Sequence, residues 1–173
     1  MLHIPQTTQP FFMIKNVLTL VLFSLFAAGA SGQLTAKPVC GEFSIDILNG
    51  TINNMKPNVN EQEIREKLPC YTSEQKVDST CGRTLFYKDR DVRIYLQRKY
   101  VEIGPNFKGK LSIPLMGVSR DGLFKWLGNP KIKDTDWDAF EMQYGTLVLH
   151  YEKGKVKLIQ FSTQSTEQLS LCQ

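Results

Sequence analysis

Apolar and polar residues alternate along Val92-Arg93-Ile94-Tyr95-Leu96-Gln97 and again along Leu147-Val148-Leu149-His150-Tyr151. A period of two puts Val92, Ile94 and Leu96 on one face of a strand and Arg93 and Tyr95 on the other; His150 falls opposite Leu147, Leu149 and Tyr151. Arg98-Lys99 and Lys153-Gly154 interrupt the two runs, and apolar residues resume at Val101 and Ile103 and at Val156 and Leu158. The pattern therefore predicts two antiparallel hairpins, with Gly154 able to take a positive φ in its turn. Phe43 to Ile47, Thr51 to Met55 and Lys110 to Leu115 supply leading strands. Asn60-Glu61-Gln62-Glu63 has capping-box spacing and predicts a helix that stops at Pro69. Ser119 is expected to cap a second helix, with Leu123, Phe124, Trp126 and Leu127 on it and Gly128 and Pro130 closing it.

These elements come in the same order twice. At an offset of 59, Ile52, Val59, Ile64 and Leu68 fall on Leu111, Val118, Leu123 and Leu127. At an offset of 55, Val92, Ile94, Leu96, Val101 and Ile103 fall on Leu147, Leu149, Tyr151, Val156 and Leu158. Every aligned position keeps its apolar character. The expected fold class is α+β, with two tandem related units at 33–104 and 105–173, each a short helix packed on a small antiparallel sheet.

Ahead of them, Val17 to Ala28 is an uncharged apolar run preceded by Lys15 and followed by Gly29, Ala30, Ser31 and Gly32. This is the form of a secretory signal peptide, expected over 1–32, with Met13 as an alternative start. The run is too short to span a bilayer, and no second one follows. The mature chain is thus expected to be secreted or periplasmic, without a transmembrane segment. Export makes disulfides the natural state of the four cysteines. Three pairings are possible. Closure of the short polar loop 71–80 favours Cys70 with Cys81, and stapling of the chain ends favours Cys40 with Cys172.

Leu127, Gly128 and Pro130 close the second helix, and Tyr151, Gly154, Lys155, Val156 and Ile159 follow in a Y-x-x-GKV-x-x-I hairpin. In these residues the second unit resembles small α+β modules of bacterial exported proteins of uncharacterised function. It is similar, more loosely, to the β-lactamase-inhibitor-protein-like modules of outer-membrane assembly lipoproteins. The first unit departs from the pattern, with Leu68-Pro69-Cys70 at its helix end and Arg98-Lys99 in place of the glycine turn. The resemblance implies a binding module and no activity.

Composition narrows the chemistry. Among 173 residues, 21 Lys and Arg against 17 Asp and Glu leave a net charge of +4, too weak a bias to indicate nucleic acid. Once 1–32 is removed, His150 is the single histidine through which nucleophilic or acid-base catalysis could run, and it lies mid-strand. Asp134, Asp136 and Asp138 begin like a calcium loop, but Ala139 and Gly145 stand where the turn glycine and the bidentate glutamate belong. A solvated loop carrying Trp137 is expected there. A carboxylate or metal-dependent enzyme built on Asp134, Asp136, Asp138 and Glu141 is the alternative reading. No zinc-ligand spacing occurs, and no cofactor or metal is expected. Arg93, Arg98, Lys99, Lys153, Lys155 and Lys157 suggest a basic strip with Tyr95 and Tyr100 interleaved. Phe124 and Trp126 are too close in sequence to share one helix face fully, which leaves one for contact. Asn49-Gly50-Thr51 is a glycosylation sequon or simply a turn. The leading expectation is a non-enzymatic, exported or envelope-associated module that binds a protein partner through Arg93, Tyr95, Trp137 and His150; inhibition of an exported hydrolase is a special case.

Overall fold

Both alternating runs become strands of one sheet. The computed structural model describes residues 39–76 and 81–172, so the expected signal peptide lies outside the described residues. Strands β1 (Phe43–Asp46) and β2 (Thr51–Ile52) come first, followed by helix α1 (Glu61–Lys67). Next are β3 (Ser73–Lys76), β4 (Arg83–Tyr87), β5 (Val92–Tyr95), β6 (Tyr100–Ile103) and β7 (Gly109–Leu111). The second half adds helix α2 (Phe124–Leu127), β8 (Ile132–Lys133), β9 (Trp137–Met142), β10 (Gly145–Glu152) and β11 (Lys155–Ser162). The fold is mixed α and β, dominated by strands.

Eight strands form an antiparallel sheet in the order β3-β4-β5-β6-β11-β10-β9-β8. Four consecutive strands thus come from each half, and the two meanders meet where β6 pairs with β11. A second sheet, β2-β1-β7, joins the leading strands, with β1 and β7 parallel. The described residues belong to one compact unit.

One face of the large sheet carries the core. Leu85, Tyr87, Val92, Ile94, Val101, Ile103, Phe140, Leu147, Leu149, Ile159 and Phe161 cluster with Ile64 and Leu68 of the first helical segment and with Phe43, Ile45 and Ile47 of the small sheet. Burying each such side chain is worth about 1.5–3 kcal/mol, enough to hold a helix of seven residues that would not persist alone. The Asn60 side chain accepts the Glu63 amide at 2.9 Å, as the capping box requires. The Tyr87 hydroxyl donates to the Leu68 carbonyl at 3.0 Å and ties the helix end to β4.

The second helix differs from expectation. Arg120–Leu123 is a 3-10 turn leading into the single α-turn of α2, and the Ser119 hydroxyl caps nothing; its carbonyl instead accepts the Gly122 amide at 2.9 Å. The β10–β11 hairpin has the expected two-residue turn, Lys153 and Gly154 both at positive φ, which suits the twist of the flanking strands.

The cysteine pairing is Cys40 with Cys70 and Cys81 with Cys172, at Cα separations of 5.2 and 5.7 Å. This corrects the expected Cys70–Cys81 and Cys40–Cys172 bridges. The polar segment after Cys70 is not a loop. It holds β3, four residues that rise roughly 13 Å alongside β4 and carry Cys81 away from Cys70.

Candidate binding face of the large sheet

The face opposite the core is lined by the other residues of each alternating run. Phe86, Arg93, Glu102, Gln160 and Val148 lie side by side in register on β4, β5, β6, β11 and β10. The side chains of Arg93, Glu102, Gln160 and the neighbouring His150 form one hydrogen-bonded chain. Arg93 Nη1 donates to Glu102 Oε1 at 2.8 Å, Gln160 Nε2 donates to Glu102 Oε2 at 2.9 Å, and His150 Nε2 lies 2.8 Å from Gln160 Oε1. With the amide nitrogen of Gln160 committed to a carboxylate, its oxygen faces the ring, so His150 donates from Nε2. Trp137 pairs with His150 across β9 and β10. The Arg93 guanidinium lies 4.5 Å from the centre of the Phe86 ring.

Burial makes this chain rigid. The Glu102 side chain is 9% exposed against 34% for Arg93, so the carboxylate sits deep and depends on the guanidinium and the amide for its solvation. Sequence reasoning named Arg93 and His150 but missed Glu102 and Gln160. The signal was available: Glu102 is the charged residue in Tyr100-Val101-Glu102-Ile103, a run in which every residue is buried.

Tyr95, the third expected contact residue, is spent inside. It stacks on Tyr100 with ring centres 4.2 Å apart and is 6% exposed. Burial raises the hydroxyl pKa of both tyrosines. The chain beyond β11 ties down this end of the face. Thr146 Oγ1 donates to the Gln164 carbonyl at 2.8 Å, the Cys172 amide donates to the Tyr100 hydroxyl at 3.1 Å, and the Cys81–Cys172 disulfide fixes the end.

The aspartates do not converge. Asp138 is not in a solvated loop but on β9, with its carboxylate turned to the core side and 3% exposed. Arg120 grips it through Nε at 2.9 Å and through Nη2, and the Tyr151 hydroxyl donates to it at 2.7 Å. Glu141 pairs with Lys131 at 2.9 Å, and Asp134 accepts the Thr135 amide at 2.6 Å. Among the described residues, no three His, Cys, Asp or Glu side chains are placed to share a metal ion.

The basic residues form no continuous strip either. Arg98 and Lys99 adjoin the end of the sheet where Tyr100 meets Ser162, whereas Lys153, Lys155 and Lys157 lie at the opposite end of β11. Of the two helix aromatics, Phe124 is the outward one at 65% exposure, and Trp126 packs partly against the core. Asn49 is exposed in the β1–β2 turn and donates to Asp46 Oδ2 at 2.7 Å. No helix among the described residues is long and apolar enough to cross a membrane.

No protein-family model, curated protein or solved structure matches this chain.

Gln160 orients the His150 ring through its amide oxygen. Glu102 and Gln160 are buried, so the part of this face open to a neighbour is the half-buried set Phe86, Arg93, Trp137 and His150.

Proposed function

We propose that this chain is an exported protein, made of two related halves, that acts by binding a protein partner on the polar face of its large sheet. The observation that carries the reading is the Arg93–Glu102–Gln160–His150 chain, a buried-to-exposed polar array bordered by Phe86 and Trp137. Arg and Trp are the residue types that most often dominate binding energy at protein interfaces, above all when their geometry is fixed beforehand. Export is supported by the apolar leader and by two disulfide pairs that would not persist among reduced cytosolic thiols. Duplication, and with it kinship to the exported α+β modules, is supported by the helix-then-four-strands order of each half. Of the carboxylates of the enzyme alternative, Asp138 is occupied by Arg120 and Tyr151, which favours the binding reading.

Photo-crosslinking tests this. A crosslinking residue at position 93 or 137 is expected to capture a protein from the exported fraction, while one at Glu66, on the far side of the molecule, captures none. Capture from position 66 alone, or turnover in an activity screen with no capture from either face, would contradict it.

A further inference from the structure

A second surface, independent of the polar face, lies at the edge of the small sheet. Among the described residues, strand β7 pairs with β1 on one side and ends the sheet on the other. Ser112, just beyond β7, donates its amide to the Ile45 carbonyl at 2.9 Å, so Ser112 and Lys110 turn their backbone groups toward β1. Backbone groups alternate sides along a strand, which directs the N–H and C=O of Gly109 and Leu111 to the open edge.

That edge borders a groove. A depression of about 270 Å³ is lined by Phe107, Gly109, Leu111 and Pro114, together with Pro105 and Met116. A second, of about 420 Å³, shares Pro105 and Met116 and continues to Lys153, Lys155 and Lys157. Lys157 is paired with Glu152, which leaves the charge of Lys153 and Lys155 facing this end. One line thus holds an unpaired strand edge, an apolar floor and a cationic end.

We propose that β7 is a docking edge for an extended, acidic segment of another protein, which adds to the small sheet as a further strand. Backbone hydrogen bonds to Gly109 and Leu111 hold the segment, alternate apolar side chains enter the dent between Phe107, Pro114 and Met116, and carboxylates meet Lys153 and Lys155. At Gly109 a side chain would collide with the Phe43 carbonyl of β1 and with the Phe107 ring, so the glycine keeps β7 seated on β1.

The test uses the full mature chain and labelled peptides of alternating threonine and valine that end in three glutamates or in three lysines, read by fluorescence anisotropy. Two exposed ion pairs amount to roughly ten-fold, so the acidic peptide is expected to bind about ten-fold tighter. Amide exchange at Gly109 and Leu111 should slow on binding, and N-methylation of alternate peptide amides should abolish the complex. A Lys153→Glu/Lys155→Glu chain should prefer the lysine-ended peptide. Equal affinity for both peptides, no binding of the acidic one at millimolar concentration, or protection on the polar face instead of β7 would overturn the proposal. Failure of the peptide to bind at β7 leaves the crosslinking test of the polar face unaffected.

Discussion

Arg120 reaches four acceptors: both Asp138 oxygens and the carbonyls of Thr135 and Asp134. It also lies 4.8 Å from the centre of the Tyr151 ring. A buried carboxylate deprived of its counter-charge is costly, so Arg120→Met is expected to lose about 3 kcal/mol in urea unfolding. Adding Asp138→Asn to it should recover part of that loss, because the stranded charge disappears; a strictly additive double variant would contradict this account. Asp138 is also where the sequence misled. Its spacing from Asp134 and Asp136 imitates a cation loop, and only the strand period, once β9 is seen to begin at Trp137, turns it inward toward a partner 18 residues upstream. Gly50 is equally constrained. It sits at φ +61° against the ring of Tyr144, which joins the β1–β2 turn to the β9–β10 hairpin. Gly50→Ala is predicted to cost about 2 kcal/mol or more, from the left-handed backbone and the collision together, with thermal unfolding as the measure.

The elements with strong alternation, β5, β6, β10 and β11, were legible, as was the capped helix α1. Those that were not have a common cause. β3 reads Ser-Glu-Gln-Lys, polar throughout, and exists because β4 offers it a ladder and because Arg65 and Arg83 bridge Glu74 to Glu61. No local pattern announces a strand made by its neighbour. The disulfides were misassigned for the same reason, since their geometry follows from β3. Non-reducing peptide mapping is expected to yield Cys40–Cys70 and Cys81–Cys172 peptides; a Cys70–Cys81 peptide would refute the hairpin. The C-terminal segment has its own pH signature. Lys131 lies 2.6 Å from Glu167 and holds that carboxyl down at about 2, against an ordinary value of 4.5. A depressed carboxyl stabilises the docked segment fully above its ordinary value, and the contribution is lost as pH falls from about 4.5 toward about 2. The protection of amides 164–169, measured against the intrinsic exchange rate at each pH, should therefore fall over that acid range. Undocking already present at neutral pH would show that the Lys131 pair does not hold the segment.

On the scale of the molecule, the expectation of two related units leaves out what the structure has, two runs of strands joined edge to edge in one sheet over one core. The apolar positions that matched at offsets of 59 and 55 supply the shared core, so the same alternation that fills one face leaves the other to Arg93, Glu102, Gln160 and His150. That second face was half legible: the outward positions could be listed, whereas their linkage across four strands depends on a register that no single strand encodes. The central claim is that this face binds the partner. Its most direct test is the affinity of the crosslinked partner for the wild type, Arg93→Ala, His150→Ala and Phe124→Asp chains by titration calorimetry. Losing a charged or aromatic-flanked contact at an interface centre costs more than about ten-fold, so the first two substitutions should weaken binding by at least that much, with Phe124→Asp left near the wild type. Full affinity in Arg93→Ala and His150→Ala, with loss in Phe124→Asp, would contradict the account.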